Sequence, residues 1–310
     1  DLVRSRGLGD VYKRQIIIGA GPAGISAGIY AVSRGRKTLI LEKEEVGGVI
    51  GKVSTVTHYS GIIEQETGKT FADRLKKQAV QSGVEIKYEE VKNVKLTGDI
   101  KIVSTDTAEY QAPKIILANG TTPRKLGIPG ESELSGKGIG TNAAIDGPSF
   151  SGKNIYVIGG ADGAVKEAIY LAQFAKKLTI IHFENTLGCI AEFKNKIKQL
   201  PNISVLTNSR LKAVYGTNQI EKIDILSEND GKITTIEDEG CGIFIYAGST
   251  PNTELYKELS LSDGYIPVNE KMETSINGVY AAGDICVKQV RQAATAVSDG
   301  AIAGINAAII

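Results

Sequence analysis

The sequence predicts an α/β fold in which two similar βαβ domains occur, the second inserted into the first. A strand, a glycine-rich turn, a helix and a second strand fill residues 15–42, and the same series recurs over residues 154–184. The chain then ends in an apolar strand and a small-residue helix, which we expect to complete the first domain. Each domain is therefore predicted to be a Rossmann-like unit of three layers.

A glycine turn of the form Gly-Ala-Gly-Pro-Ala-Gly follows the first strand. Gly19 permits the tight turn, Gly21 lets a pyrophosphate approach the backbone, and Gly24 lets the helix pack closely on the strand. The free N–H groups and the positive dipole end of the helix then favour a pyrophosphate. Glu42 ends the second strand, where a carboxylate can accept hydrogen bonds from ribose hydroxyls. The first domain is thus predicted to bind a dinucleotide.

The second glycine turn, residues 159–164, carries Ala161 where the first turn has its middle glycine. A methyl group at that position would crowd a pyrophosphate. Glu184, in the second strand of this unit, suits an unphosphorylated ribose and would repel a 2′-phosphate. No arginine lies within residues 125–209. Two interpretations stay open, a domain that binds NADH and a degenerate domain that binds no nucleotide, and both are favoured over NADPH.

Composition and charge exclude several classes of protein. The net charge is +1, so nothing indicates nucleic acid as a partner. No run approaches the ~20 apolar residues of a membrane span. Cys189, Cys241 and Cys286 are odd in number and far apart, which argues against a disulfide framework and for a reducing cytoplasm. His58 and His182 have no metal-ligand spacing around them, so no metal site is predicted.

Turns and periodicity set the domain boundaries. Residues 1–14 start without Met and show no apolar period, so we expect a non-native leader there. The first part of the first domain is predicted to span residues 15–118, with a helix over 68–81. Residues 119–246 are predicted to form the second domain, in which hairpins follow the lysine-rich helix. Residues 247–310 are predicted to return to the first domain.

The last strand ends in Gly-Asp, and Arg291 and Gln292 then open the final helix. Asp284 can be interpreted in two ways. It can accept a hydrogen bond from a ribityl hydroxyl chain, or it can simply initiate a turn. On this residue alone the turn is favoured.

These pieces in this order resemble the low-molecular-weight thioredoxin reductase family, the class II pyridine nucleotide-disulfide oxidoreductases. The resemblance rests on both glycine turns and on Gly47-Gly48, Ala118-Asn119-Gly120, residues 248–253 and residues 278–284 with Arg291-Gln292. The family binds FAD in a domain split in sequence around a nicotinamide domain, and it is homodimeric. The resemblance implies the same arrangement for this chain.

The candidate cofactor-binding residues fall into two groups. Those for FAD are Gly19, Gly21, Pro22, Ala23, Gly24, Glu42, Gly48, His58, Ala118, Gly120, Gly283, Asp284, Arg291, Gln292 and Ala293. Those for a nicotinamide nucleotide are Gly159 and Glu184.

The sequence departs from the family at the reactive dithiol. The family carries Cys-x-x-Cys followed by Asp-Gly just before the second glycine turn. Here Asn142 and Ile145 stand at the two cysteine positions, while Asp146, which matches the family's proton donor, is retained. Neither Asn nor Ile provides the thiolate that disulfide exchange needs, so the catalytic residues stay unidentified. The family's paired arginines are also replaced, by Phe183 and Glu184.

We therefore expect an FAD-dependent oxidoreductase of thioredoxin reductase-like fold that passes electrons through the flavin without a protein dithiol. The expected donor is NADH or a small redox protein, and the expected acceptor is a small redox protein or a small molecule. Two alternatives stay open. One is a flavin-binding protein without turnover, because fold alone does not establish activity. The other is a thioredoxin reductase proper, against whose usual mechanism the missing cysteines argue.

Overall fold

The computed structural model describes residues 14–63 and 66–309. The prediction for residues 1–14 lies outside the described residues except at Arg14, where the first strand begins. The chain divides into two compact units. The first unit comprises the described residues up to Thr122 and those from Thr250 onward, and the second unit is Pro123–Ser249.

The strands are numbered in chain order. They are β1 (Arg14–Ile18), β2 (Lys37–Glu42), β3 (Glu85–Tyr88), β4 (Val91–Lys95), β5 (Lys101–Thr105), β6 (Glu109–Ala112), β7 (Lys114–Leu117), β8 (Thr121–Pro123), β9 (Ile139–Gly140), β10 (Asn154–Ile158), β11 (Lys177–Ile181), β12 (Ile203–Leu206), β13 (Ser209–Gly216), β14 (Ile220–Ser227), β15 (Ile233–Glu237), β16 (Gly242–Ile245), β17 (Ser249–Pro251) and β18 (Val279–Ala281).

The α-helices are α1 (Pro22–Val32), α2 (Gly68–Gln81), α3 (Ala143–Asp146), α4 (Asp162–Leu171), α5 (Ala191–Lys198) and α6 (Ala293–Ala307). Helix α2 coincides with the helix predicted from apolar periodicity. Thr67 caps its first turn by accepting a hydrogen bond from the Thr70 N–H. No helix among the described residues is both long and apolar enough to span a bilayer.

The first unit is built on a parallel sheet of order β18-β7-β1-β2-β3. Its inner strands β1, β2 and β7 carry buried apolar runs because both faces of the sheet are covered there. Ile16 and Ile18 pack in a core that also holds residues of the antiparallel sheet β4-β5-β6, such as Leu96. Ile17 points to the opposite face and packs in a second core with residues of α1, such as Ile25. The unit therefore has three layers, with helices on one face and a small sheet on the other.

The second unit repeats this plan along one uninterrupted segment. Its parallel sheet has the order β12-β11-β10-β16-β9, and the antiparallel sheet β13-β14-β15 accompanies it. Ile155 and Val157 pack in a core with Val165 of α4. Tyr156 belongs to a second core, which also contains Ile223 of the small sheet. Two three-layer α/β units, the second lying within the first along the chain, confirm the predicted fold class.

The division between the units falls a few residues beyond the boundaries predicted at residues 119 and 247. Asn119 belongs to the first unit because its side-chain amide donates to the Asn252 carbonyl at 2.8 Å, and the Tyr256 hydroxyl donates to its side-chain oxygen at 2.7 Å. Gly248 belongs to the second unit, where its carbonyl accepts from the Arg124 N–H at 3.0 Å. Hydrogen bonds between segments distant in sequence accompany this division, and a turn motif alone does not reveal them.

Candidate cofactor sites

The three glycines of the first turn, Gly19, Gly21 and Gly24, differ in what a side chain at each position would contact. Gly19 has φ of +101°, and a Cβ there would lie 2.6 Å from the Ala118 carbonyl oxygen. A Cβ on Gly24 would lie 1.9 Å from the Gly19 carbonyl oxygen. A Cβ on Gly21 would meet no chain atom within 4 Å. Packing of the chain therefore requires glycine at two of these positions, while Gly21 borders open space.

Helix α1 begins at this open space. Gly21 is its N-cap, no side chain caps it, and its first turn contains no acidic residue. The N–H groups of the first turn thus keep their capacity to bind an anion. Gly48 lies beside this end of the helix, since a Cβ on it would be 3.5 Å from the Gly21 Cα. The adjoining Gly47 N–H donates to the Ala20 carbonyl at 2.9 Å, which fixes the loop against the turn.

The Glu42 carboxylate is held at the same turn. Its Oε2 accepts from the Ala20 N–H at 2.7 Å, and its Oε1 accepts from the Glu44 N–H at 2.9 Å. Each carboxylate oxygen has two lone pairs, so both can accept a further hydrogen bond. The predicted ribose acceptor is therefore preoriented by the backbone beside the start of α1.

Asp284 follows β18 next to the same cluster. A Cβ on the preceding Gly283 would lie 2.9 Å from the Ala23 Cβ, which places this loop against the start of α1. Asp284 Oδ1 is buried and has no hydrogen-bond partner among the described residues. Burial raises the pKa of Asp284 above its ordinary value. A buried acceptor without a donor is costly, so this oxygen fits a ligand hydroxyl.

Arg291, Gln292 and Ala293 form the start of α6. The Arg291 guanidinium stacks 4.2 Å from the centre of the Tyr265 ring and donates to the Lys288 carbonyl at 3.0 Å. Gln292 is the N-cap of α6, and Ala293 is its first helical residue. These contacts fix a segment that begins a few residues beyond Asp284 in the chain.

Asp299 is a site neighbour that the sequence analysis missed. Its Oδ2 accepts from the Gly283 N–H at 3.1 Å and pairs with Lys288. It therefore holds the backbone of the loop that carries Asp284. The sequence does contain one indication of this role, because Asp299 is the one charged residue of α6, whose other residues are uncharged and mostly small.

The open glycine space, the preoriented Glu42 and the buried oxygen of Asp284 together fit the FAD that the family resemblance implies. The structure places Gly19 to Gly24, Glu42, Gly48, Ala118 and Gly283 in one cluster. The remaining two candidates make other contacts. Gly120 has φ of +59°, and its carbonyl accepts from the Asn252 N–H at 3.1 Å. His58 is exposed, with its Nδ1 3.1 Å from the Thr57 hydroxyl.

The second unit has a different residue at the end of its second strand. Ile18 pairs with Leu41 in the first unit, and Ile158 pairs with Ile181 in the second. The residue that follows Ile181, and so corresponds to Glu42, is therefore His182. Its buried ring lies against the second glycine turn, where a Cβ on Gly160 would be 2.5 Å from the ring Cγ.

Glu184 lies two residues beyond that position. Its side chain is 57% exposed, and its Oε2 is 3.3 Å from His182 Nε2. Its distance from the glycine turn predicts a ribose acceptor at Glu184. The strand register puts this carboxylate further along the chain than its counterpart in the first unit, and it lies at the surface. Its role toward a nucleotide stays a prediction.

The second turn keeps the backbone of the first. Gly159 has φ of +133°, and a Cβ there would lie 2.4 Å from the Tyr246 carbonyl oxygen. Ala161 is the N-cap of α4 with φ of −84° and ψ of 176°, close to the values of −70° and −179° at Gly21. The exposed methyl group of Ala161 therefore occupies the position at which Gly21 has only hydrogen.

Arg210, at the second residue of β13, also escaped the sequence analysis. The Ser209 N–H donates to the His182 carbonyl at 2.9 Å, which brings β13 beside the end of β11. The Arg210 guanidinium lies over the Phe183 ring, 4.4 Å from its centre, and pairs with the Glu228 carboxylate. Arg210 directly follows the arginine-free stretch in sequence. Its proximity to Phe183 depends on the packing of β13 beside β11, so only the fold reveals it.

The positions of the family's dithiol form a capped helical turn. Asn142 is the N-cap of α3, and its Oδ1 accepts from the N–H groups of Ala144 at 2.9 Å and Ile145 at 3.2 Å. Asp146 Oδ2 accepts from the N–H groups of Thr141 at 2.8 Å and Asn142 at 2.9 Å. The Ile145 side chain is 73% exposed. The segment thus retains an ordered turn whose polar side chains bind backbone groups.

The three cysteines are all buried and unbridged. Burial raises the pKa of Cys189, and it raises the pKa of both Cys241 and Cys286 to about 12. Thiols with such pKa values are almost fully protonated at neutral pH, and the thiolate is the nucleophile in disulfide exchange. These cysteines therefore have the properties of small core residues.

Two units with dinucleotide-type turns, one of which carries a buried acceptor suited to a ligand hydroxyl, are typical of nucleotide-binding α/β proteins. The chain belongs to the pyridine nucleotide-disulphide oxidoreductase family, whose model matches residues 13–300. The predicted family resemblance is confirmed, and the chain is an FAD-dependent oxidoreductase of the thioredoxin reductase-like type.

Named relatives match nearly the whole chain. A thioredoxin reductase of Peptoclostridium acidaminophilum is 38% identical over 297 residues, covering 94% of each protein. A 34.2 kDa protein in the rubredoxin operon of Clostridium pasteurianum is 37% identical over 295 residues, covering 94% of this chain and 95% of that protein. The crystal structure of Lactococcus lactis thioredoxin reductase superposes with a TM-score of 0.91 at 34% identity, covering 95% of this chain and 97% of that one.

Proposed function

We propose that this FAD-dependent oxidoreductase passes electrons between a donor and an acceptor without a protein dithiol. The observation that carries the proposal is the segment at Asn142 and Ile145. Asn142 uses its side chain to cap a helical turn, and Ile145 is an exposed aliphatic residue. Neither can exchange a disulfide, and the buried cysteines elsewhere are single residues with raised pKa values.

The residues of the first unit would bind and orient the cofactor. The N–H groups at the start of α1 would hold the pyrophosphate, and Glu42 would accept from the adenosine ribose. Asp284 Oδ1 would accept from a ribityl hydroxyl and so lose its unpaired state. Bound FAD would supply the electron-carrying chemistry that no side chain of this chain offers.

The proposed electron donor is NADH, with a small redox protein as the other donor compatible with the chain. The carboxylate of Glu184 favours an unphosphorylated ribose, and its exposure leaves it accessible. A small redox protein is supported by the name of the Clostridium pasteurianum relative, which refers to a rubredoxin operon. The proposed acceptor is a small redox protein or a small molecule. The homodimeric state implied by the family belongs to the same proposal.

An anaerobic titration of the purified yellow protein tests the donor. We expect NADH to bleach the visible flavin absorbance and NADPH to act more weakly. A matched variant, Ala161→Gly, removes the methyl group that stands where the first turn has none, and it should lower the NADH concentration needed. If dithionite bleaches the flavin while NADH does not, the NADH donor is excluded and electrons must come from a protein. If neither a nucleotide nor a redox protein reduces it, the protein is a flavin-binding protein without turnover.

A disulfide-reductase assay tests the absence of a dithiol mechanism. The thioredoxin reductase names of the relatives make that activity the second candidate. We expect no reduction of a thioredoxin disulfide by the wild-type chain with either nicotinamide nucleotide. The double variant Asn142→Cys with Ile145→Cys is the control, because it restores the family's Cys-x-x-Cys spacing before Asp146. Wild-type turnover equal to that of an active double variant would contradict the proposal.

A further inference from the structure

We propose that Glu228 keeps Arg210 from serving as a phosphate-binding residue and thereby makes the second unit discriminate against a 2′-phosphate. The inference deepens the proposed use of NADH and rests on it. It assigns a specificity role to Arg210 of β13 and to Glu228, the residue that directly follows β14, neither of which belongs to the glycine turn. The ligand class is an adenine dinucleotide with or without a phosphate on its adenosine ribose.

The backbone places Arg210 at the end of β11. The Asn208 N–H donates to the Glu184 carbonyl at 2.9 Å, and the Ser209 N–H donates to the His182 carbonyl at 2.9 Å. These bonds bring the first residues of β13 beside the residues that follow β11. In Rossmann-type units, the groups just after the second strand contact the adenosine ribose, and a nearby arginine accommodates a 2′-phosphate. Arg210 therefore stands in the region where such an arginine acts.

The Arg210 Cζ lies over the Phe183 ring, 4.4 Å from its centre, which is within the range of a cation–π interaction. Phe183 is 46% exposed, so this stacked pair faces solvent. A guanidinium stacked on an aromatic ring loses few additional degrees of freedom when it binds a phosphate, since the ring already orients it. The Arg210 guanidinium is thus accessible and oriented for a phosphate, but it is already paired with another side chain.

That partner is Glu228. Its carboxylate accepts a hydrogen bond from Arg210 Nε. Its backbone N–H donates to the Asn208 carbonyl at 2.7 Å, which ties it to the same turn. The pair formally cancels the charge of Arg210. Glu184, whose backbone carbonyl accepts from the Asn208 N–H, adds a further carboxylate to the residues at this edge of the unit. A 2′-phosphate would face that negative charge and would have to compete with a carboxylate for the guanidinium.

The size of the effect follows from exposure. The side chains of Arg210 and Glu228 are 50% and 36% exposed, so water screens their interaction. Replacing Glu228 removes one negative charge near a ligand group of about −1.5 to −2 charges. At several ångströms in a high dielectric, this corresponds to roughly a three- to tenfold change in dissociation constant.

Calorimetric titration of the flavin-loaded protein tests the inference. ADP-ribose and 2′-phospho-ADP-ribose are the probes, because they differ only in the phosphate and cannot transfer a hydride. We expect wild type to prefer ADP-ribose. Glu228→Gln should tighten 2′-phospho-ADP-ribose roughly three- to tenfold and leave ADP-ribose within about twofold. Adding Arg210→Gln to that variant should abolish the gain.

A charge-matched control is Glu237→Gln. Glu237 is an exposed residue of β15 and lies opposite Lys222, near the beginning of β14. Arg210 lies opposite Leu226, near the end of β14, so the two sites are at opposite ends of this strand. This variant changes the net charge equally and should leave both affinities unchanged. An equal gain in Glu237→Gln would show a diffuse charge effect and overturn the assignment to Glu228.

The outcomes separate the inference from the proposed function. If wild type binds ADP-ribose but Glu228→Gln does not improve the phosphorylated probe, the role of Glu228 is overturned and the NADH donor stands. A wild-type preference for 2′-phospho-ADP-ribose also overturns the inference. If wild type binds neither probe, the second unit has no nucleotide site, and both the NADH donor and the inference are overturned.

Discussion

At the scale of single residues, glycine serves two purposes in the first turn. Gly19 and Gly24 are required by the chain, since a Cβ on either would lie within 2.6 Å of a carbonyl oxygen. Gly21 is not required by the chain, because its added Cβ would meet nothing within 4 Å. We therefore expect a side chain at Gly21 to leave the fold intact and to obstruct only a ligand that enters this open space.

Gly21→Val should separate cofactor binding from folding. We expect the variant to fold, with flavin affinity reduced roughly tenfold or more, about 1.4 kcal/mol of binding free energy. The measurement is flavin absorbance per chain after purification, together with circular dichroism. Gly163→Val is the control, since a Cβ on Gly163 also meets nothing within 4 Å and it lies in α4 of the other unit. Full flavin content in Gly21→Val would refute the assignment of this turn.

The three thiols should be unreactive in the native protein. Burial raises the pKa of Cys241 and Cys286 to about 12, so at pH 8 only about one thiol in ten thousand at these sites is ionised. We expect no rapid reaction with a chromogenic disulfide reagent in buffer, and three reactive thiols per chain in denaturant. One fast-reacting thiol per native chain would reveal a reactive cysteine and count against a mechanism without one.

At the scale of elements, local patterns predicted most strands and helices. The apolar run Ile16 to Ile18 marks a strand buried on both faces, and apolar residues four apart mark α2. The positions of Arg210 and Asp299 were not predictable in this way, because each reaches its site through a strand or helix distant in sequence. The equivalence of His182 with Glu42 depends likewise on strand register, which counting along the chain does not give.

Helices α1 and α6 pack at a distance that only glycine allows. A Cβ on Gly300 would lie 2.1 Å from the Ala23 carbonyl oxygen, and one on Gly304 would lie 2.4 Å from that of Ala27. These contacts lie between backbones, so no side-chain rotation relieves them. The small-residue composition of α6 therefore reflects close helix packing beside the start of α1.

Gly304→Ala should destabilise the protein, although alanine is the better helix former. We expect the free energy of unfolding to fall by about 1–3 kcal/mol, which would appear as a lower midpoint of thermal unfolding. The same change at Gly163 in α4 meets no atom within 4 Å and should raise stability by up to about 1 kcal/mol. Equal effects of the two substitutions would show that helix propensity outweighs packing at Gly304.

At the scale of the whole molecule, each unit has its own cores. Both cores of the second unit draw only on residues between Leu126 and Tyr246. Both cores of the first unit draw on residues from its two separate segments, such as Ile16 with Val279. The second unit is also one continuous stretch of chain, Pro123–Ser249.

The segment Pro123–Ser249 should therefore fold when expressed alone. We expect a cooperative unfolding transition, no yellow colour, and ADP-ribose binding within about threefold of the full chain, or about 0.6 kcal/mol. Calorimetry on the fragment and on the full chain provides the comparison. An unfolded fragment would mean that the second unit depends on the first for its stability.

The side chain of Asn142 also determines what a cysteine at this position would cost in stability. Cysteine is not among the good N-cap residues, so replacing Asn142 by cysteine would sacrifice both cap hydrogen bonds and cost about 0.5–2 kcal/mol. That single substitution would give one thiol without a second cysteine at position 145, where Ile145 stands. The protein would therefore lose stability before it gained any disulfide-exchange activity. Introducing a dithiol at these positions would therefore weaken the turn at its first step, because the cap of α3 depends on Asn142.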